Sequence, residues 1–599
     1  MTETATNDGL GDLPCWDLSD LYAGREAEAL SADLDEAERA AEDLAGRYRG
    51  RLAEIDGAGL AALLDAYEAL ADTLGRIMSY AYLEYAGDVS DAEAGQFLQT
   101  MQERVNGIGT TTLFITLELN RIDDDVLGRQ LKAPALARWR PWIRDTRAFR
   151  DHQLSDELEK LLHEKAVVGR SAWVRLFDET TARLRFDHRG EALNSAAAFD
   201  LLSSKDGEVR RDIAAEISCV LSENVQTFAL ITNTLAKDKA VEDRWRNFAR
   251  PISQRNRENL VEDEVVEALI AAVREAYPRL SHRYYALKAR WMGSDALDYW
   301  DRNAPLPEDD DQLVPWEQAR TTVLDAYNAF SPELAAIGRR FFDGAWIDAP
   351  VRGGKVPGAF AHPTVPSAHP YLLLNYQGRV RDVMTLAHEL GHGVHQVLAG
   401  AQGALMAETP LTLAETASVF GEQLTFRAML AGEGDAVRRR VMIAGKVEDM
   451  LNTVVRQVAF CEFERRLHEA RAVAELTPDA IGDLWMSVQG ESLGPAIRMD
   501  DSYRCYWSYI PHFIHTPFYV YAYAFGDCLV NALYAVYQDA EVCFADRYLT
   551  MLRAGGTLRH KELLAPFELD ASDPAFWHRG LNVIAGLVDE LEGALAEPV

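Results

Sequence analysis

The sequence predicts a mostly α-helical protein with a small β element. Long stretches carry apolar residues at three- and four-residue spacing. Only two short stretches read as strands, and no fixed-period repeat, low-complexity tract or Gly/Ser linker interrupts the chain. From about Ala23, AEALSADLDEAERAAEDLAGRYRGRLAEI is rich in Ala, Glu, Leu and Arg, residues that lose little side-chain freedom in a helix. GLAALLDAYEALADTLGRIMSYAYLEYA repeats the pattern, and DAEAGQFLQTMQERVNGIGTTTLFITLELNRI follows after a GDVSD break. Further helices are expected at ALARWRPWIRDT, SDELEKLLHEKAVVG, VEDEVVEALIAAVREAYPRLSHRYYALKARWMG and PWEQARTTVLDAYNAFSPELAAIGRRFF. ARLRFDHRGEALN reads as a hairpin, and AHPYLLLNYQGRV as a strand just before a helix. The expected division is a disordered N-terminus over 1–14, a helical domain over 15–190 and a larger domain over 191–599.

Composition narrows the class. The chain has 599 residues, 48% hydrophobic and 26% charged, which is ordinary for a globular protein with a large core. Lys and Arg number 61 against 94 Asp and Glu, a formal charge of −33. That acidity argues against nucleic acid or an anionic membrane as partner, since both need a basic footprint. No apolar stretch reaches the roughly 18 to 20 residues of a membrane span. The start, MTETATNDGLGDLP, has neither the basic nor the apolar region of a secretory signal. Six scattered cysteines without a CxxC pair suit a reduced, cytoplasmic protein.

Histidine is unevenly spread. Five of the 14 fall between His362 and His395, and TLAHELGHGVHQVLAG contains His388-Glu389-Leu390-Gly391-His392. Positions four apart share a helix face, so both imidazoles can point at one ion. Zinc accepts such nitrogens at about 2.0–2.1 Å and leaves room for a third ligand and a water. Glu389, on the next stagger, reaches that water but not the metal. Gly391 and Gly393 each cost about 1 kcal/mol relative to Ala inside a helix, which suits close approach of a neighbouring element or a substrate.

The third ligand is not supplied by the motif itself. Position 398 is leucine, which excludes the HExxHxxGxxH arrangement. His395 lies about 10.5 Å along the axis from His388, so a supporting or substrate-facing role is expected of it. Glu408, Glu415 and Glu422 follow downstream. Glu415 lies in a helix that Thr409-Pro410 would start, 23 residues past His392, room enough for an antiparallel partner helix to return to the metal. Thr412-Leu413-Ala414-Glu415 is equally a capping box. Glu422 shares the Glu415 face and is placed to orient a ligand histidine. Val419 rules out the pattern of Glu followed four residues later by Asp.

Two further stretches bear on a site. In PHFIHTPFYVYAYAFG, Thr516-Pro517 reads as an N-cap and first helical residue. That puts His512 on an approach loop, Tyr519 and Tyr523 on one helix face, and Tyr521 in the core. The aromatic run reads as a core helix or as a set of hydrogen-bond donors. AHPYLLLNYQ reads as a buried strand that, at a sheet edge, would pair with an extended peptide through Tyr371, Leu373 and Asn375. The lead-in VRGGKVPGAF reads equally as a mobile loop or a simple turn.

HELGHGVHQ, LAETASVFGE, WDLSDLY near the start and PHFIHTPFYVYAYAFG near the end resemble the oligoendopeptidase F branch of the thimet-oligopeptidase-like zinc peptidases. The likeness runs from Trp16 to the C-terminal region. It implies an elongated, multi-helix, zincin-type metallopeptidase with a deep channel that admits short peptides. It further implies one zinc ion per chain held by His388, His392 and Glu415, with Glu389 as general base, and a histidine at the place of His395. His512 and Tyr519 become the implied donors to the transition state, with Tyr523 behind them. The expected reaction is endopeptidase cleavage of internal bonds in oligopeptides. A zinc carboxypeptidase or dipeptidase of similar fold, or a catalytically silent peptide-binding protein, are the alternatives.

Overall fold

A computed structural model describes residues 9–166, 168–306, 313–539 and 543–596. The chain forms two compact units, each drawn from three separate stretches. The first comprises Met1–Arg150, Asp311–Gly432 and Asp539–Glu568, and the second Asp151–Asp310, Glu433–Gln538 and Leu569–Val599. Helices α1 (Glu28–Tyr48), α2 (Gly57–Gly87) and α3 (Ala92–Thr112) open the first unit. Strands β1 (Phe186–His188) and β2 (Glu191–Leu193) and the long α4 (Gly207–Trp245) belong to the second. The first resumes with α5 (Trp316–Phe330), α6 (Pro332–Asp343), β3 (Ile347–Asp348), β4 (Phe360–His362), β5 (Tyr371–Leu373), α7 (Val380–Ala399) and α8 (Leu411–Gly432). Helices α9 (Arg456–Val473) and α10 (Tyr521–Asp539) carry the later part of the second, and α11 (Phe544–Arg553) returns to the first. No helix among the described residues is long and apolar enough to cross a membrane.

The N-terminal helices form where the periodicity places them. α1 buries Leu30, Leu34, Ala37, Ala41, Leu44 and Tyr48, one stripe at three- and four-residue spacing. Asp56 caps α2 by accepting the Gly59 N–H at 2.8 Å. Leu60, Leu63 and Leu64 then join Ile115, Leu119 and Trp139 in one buried cluster. In the second unit the hairpin pairs Phe186 with Leu193. Its two-residue turn uses Arg189 and Gly190 at φ 56° and 87°, the positive values that match the twist of the flanking strands.

Residues 1–8, part of the expected disordered N-terminus, lie outside the described residues. Residues 9–14 depart from that expectation. Leu10 is buried and its carbonyl accepts the Trp316 N–H at 2.9 Å, while Pro14 accepts from Ala349 at 2.9 Å. A polar composition hid one anchoring leucine and two backbone bonds.

The β element of the first unit is a three-stranded sheet in the order β3-β5-β4. β3 runs parallel to β5, and β4 antiparallel to it. The segment ahead of β4 is tied down as a turn. Lys355 Nζ donates to the carbonyls of Asp348, Pro350 and Leu374, and Asn375 Nδ2 donates to those of Val356 and Gly358.

α7 and α8 are the most intimately packed pair in this unit. A Cβ on Gly391 would lie 2.5 Å from the Ala417 carbonyl oxygen and 2.6 Å from Ser418 Cα, and one on Gly393 would meet the Phe341 ring. Both glycines therefore serve close approach of neighbouring elements, not of a substrate. Tyr327 of α5 donates to the Ala387 carbonyl at 2.6 Å, passing where a side chain at position 421 would stand. Tyr548 of α11 donates to the Thr416 carbonyl at 2.7 Å. Gly391→Ala forces backbone against backbone, and is expected to lower stability by about 1–3 kcal/mol despite the helix-propensity gain, measured by urea denaturation. A loss below a few tenths of a kcal/mol would show that α7 and α8 slide apart freely.

Candidate metal centre

α7 starts on its own first turn, where Asp382 Oδ2 accepts the backbone N–H groups of Gln377 and Arg379 at 2.9 and 3.0 Å. Two turns on, His388 and His392 leave the same face, their ring centroids 4.9 Å apart. α8 begins at Leu411, so Thr412 lies inside the helix and does not act as an N-cap for Glu415. The Glu415 carboxylate turns instead to α7. Its Oε2 lies 3.3 Å from His388 Nε2 and 3.4 Å from His392 Nε2, and Ser418 Oγ donates to it at 2.7 Å.

These three residues are the one group among the described residues placed to hold a metal ion, their ligand atoms all within 4.8 Å of one another. Glu408 takes no part in it. Ligands about 2.1 Å from a tetrahedral zinc stand about 3.4 Å apart, which the two histidine-to-carboxylate distances match. The donor set, two imidazoles and a carboxylate, suits zinc.

The surrounding charges reinforce the arrangement. Glu422 Oε2 lies 3.3 Å from His388 Nδ1, which fixes the ring and leaves Nε2 toward Glu415. Burial pulls the His388 pKa down, but the Glu422 hydrogen bond and the charges of Glu415, Glu389 and Glu422 raise it to about 9. Burial pushes Glu415 up, and the hydrogen bond and charge of His392, then His388 and Ser418, bring it down to about 2. Glu389 is 8% exposed. Burial raises its pKa against the pull of His388 and His392.

The other expected site residues fall differently. His395 is buried, not substrate-facing. Burial lowers its pKa to about 4. Tyr371 and Leu373 do not lie at a sheet edge: β5 is the central strand, paired on both sides and wholly buried. Tyr371 Oη donates to the Asp17 carbonyl, and Asn375 is spent on the 356–358 turn, so none of these three residues offers a strand edge to an extended peptide. The partner strands β3 and β4 span two and three residues, too few to show a period of two.

His512, Tyr519 and Tyr523 lie in the second unit and form one aromatic cluster. The Tyr519 and Tyr523 centroids are 5.2 Å apart, and His512 is 6.1 Å from each. The expected register is not kept. His512 opens a one-turn helix, His512–His515, and is not on a loop. α10 begins at Tyr521, so Pro517 is not its first residue and Tyr519 precedes the helix. Burial lowers the His512 pKa, with His515 and Arg456 adding to it. Tyr521 is buried and accepts from Asn259 Nδ2 at 2.9 Å. Sequence reasoning missed Ser418, three residues past Glu415 on the same face, whose hydroxyl bonds the Glu415 carboxylate.

If Glu415 is a ligand, Glu415→Ala is expected to take zinc content from near one per chain to near zero. Glu422→Gln is expected to weaken affinity about 10–100-fold, measured by competition with a chelator. Full zinc retention in Glu415→Ala would exclude Glu415 as the third ligand.

Comparison with known proteins agrees with this architecture. The sequence model of peptidase family M3 matches residues 200–583, and that described as oligopeptidase F matches 118–186. The chain is 25% identical to oligopeptidase PepF of Bacillus subtilis over 594 residues, covering 97% of this chain and 87% of that one. It is 24% identical to an oligoendopeptidase F homolog of Borreliella burgdorferi, covering 88% and 90%. In fold it is similar to a putative peptidase from Chlamydophila abortus, with a TM-score of 0.85, 22% identity and coverage of 97% and 98%. It is also similar to oligoendopeptidase-F from Enterococcus faecium, with a TM-score of 0.69, 21% identity and coverage of 95% and 99%. With a family match over more than half its length, the chain belongs to peptidase family M3 and is a metallo-oligopeptidase.

Proposed function

We propose that the protein is a zinc endopeptidase cleaving internal bonds of short peptides, with Glu389 as general base. The observation that carries this reading is the seat of Glu389. It is adjacent in sequence to a ligand-ready His388–His392–Glu415 set and buried beside it. His388, His392 and Glu415 would hold the ion, and Glu422 would keep the His388 ring in place. When bound, zinc supplies Lewis acidity, which polarises a carbonyl and makes a water more acidic.

The remaining steps belong to the chain's own residues. A Glu389 carboxylate oxygen takes the proton of the attacking water and then delivers it to the nitrogen of the leaving amine. Burial raises the proton affinity of that carboxylate, so it accepts a proton more readily than an exposed glutamate does. The family resemblance assigns donation to the carbonyl oxygen to His512 and Tyr519, with Tyr523 packed against both rings.

Glu389→Gln removes the proton acceptor and keeps the shape. It is expected to cut kcat by at least about 10²-fold with zinc content unchanged; substantial remaining activity would sink the assignment. A quenched fluorescent peptide blocked at both ends separates endopeptidase from exopeptidase. Cleavage at an internal bond is expected, and an intact blocked peptide beside a cleaved free one would replace this reading with the carboxypeptidase or dipeptidase alternative.

A further inference from the structure

Tyr519 sits in an unusual piece of backbone. It follows Phe518, whose φ is 60°, the left-handed region that a bulky residue rarely occupies unless its surroundings enforce it. Phe518 is wholly buried, and the Pro517–Phe518 peptide is gripped on both sides. Arg255 Nε donates to the Pro517 carbonyl at 3.3 Å. The Phe518 N–H donates to Glu464 Oε1 at 2.8 Å. Glu464 lies on α9, is 2% exposed, and keeps Oε2 buried without a partner among the described residues. One turn along α9, the His468 ring packs 4.9 Å from that of Phe518.

A carboxylic acid in such a place is costly unless it does something an apolar residue does not. Its one hydrogen bond among the described residues goes to the residue that turns the chain immediately before Tyr519. We propose that Glu464, with Arg255 opposite, is a positioning residue that locks the Pro517–Phe518 peptide and so sets the Tyr519 hydroxyl for catalysis. This rests on the reading of Tyr519 as a transition-state donor. Burial holds the Glu464 pKa at about 8, above the ordinary carboxyl range, against the Phe518 N–H and the charges of Arg255 and Lys239. The Oε1 acceptor is present in either protonation state. Without it the Phe518 N–H is buried and unpaired, and the left-handed turn loses its restraint.

The test is a double-mutant cycle on the full-length zinc enzyme, with hydrogen exchange as a second readout. Glu464→Ala is expected to lower kcat at least about tenfold with KM within about threefold. It should also speed exchange of the Phe518 amide at least about tenfold, with exchange in α9 unchanged. Glu464→Gln keeps an acceptor at Oε1 and should restore most of kcat and protection; it also serves if the alanine variant does not fold. In a Tyr519→Phe background, Glu464→Ala should cost little more, because both act on one hydroxyl. Fully additive losses, or unchanged Phe518 exchange in Glu464→Ala, would overturn the positioning role. A Tyr519→Phe variant that keeps kcat within twofold overturns the reading of Tyr519, and the proposal falls with it.

Discussion

The contact that the candidate site depends on is the near-touching of α7 and α8 at Gly391. With no side chain there, α8 backbone comes within reach of α7 at Ala417 and Ser418, one turn from Glu415. Only at that separation does a glutamate of ordinary length bring one oxygen to 3.3 and 3.4 Å from two imidazole nitrogens. The same approach brings Glu422 to the far nitrogen of His388. Tyr327 and Tyr548 then bond backbone carbonyls of α7 and α8 in turn, so the spacing is held by hydrogen bonds as well as by packing. A side chain at the Gly391 position would push against the α8 backbone at Ala417 and Ser418 and move Glu415 away from the two imidazoles.

That convergence has an electrostatic consequence. Glu389, Glu415 and Glu422 gather around His388 and His392 in a buried space. Three carboxylates and two imidazoles cannot all take their ordinary charge states there. The shifts relieve the conflict: His388 holds a proton more tightly, Glu415 less, and Glu389 is raised by burial. A divalent cation held by His388, His392 and Glu415 would balance these carboxylates in the same way. The donor set and its surroundings agree: the two histidine-to-carboxylate distances suit a tetrahedral ion, and the carboxylates around them favour a cation.

How much of this the sequence reveals depends on how local each relation is. His388 and His392 are one helical turn apart, so their convergence follows from helix geometry alone. Glu415 is not legible in the same way. Its spacing fits a capping box with Thr412 as well as a ligand, and only the resemblance to a known family separates the two. The structure removes the capping-box reading, because α8 starts at Leu411 and Thr412 lies beyond the N-cap. The order of the small sheet is the clearest failure. A leucine run marks β5 as buried, but its neighbours β3 and β4 are two and three residues long, and nothing in so few residues shows that they flank it on both sides. Leu10 is a similar case, a single apolar residue in a polar stretch, ordered through backbone bonds made far along the chain.

The aromatic segment shows a local rule overridden by a distant residue. Thr516-Pro517 has the chemistry of a helix start, and a helix from there would give Tyr519 and Tyr523 one face by simple periodicity. Instead the chain turns through a left-handed Phe518 held by Glu464, 54 residues earlier, and α10 begins only at Tyr521. The two tyrosines still meet, ring edge against face at 5.2 Å, but one of them now stands on a turn whose shape is set by tertiary bonds. A hydroxyl carried on a regular helix is placed by the helix. One carried on a strained turn is placed by whatever holds the turn, and here that is a buried carboxyl on one side and a guanidinium on the other.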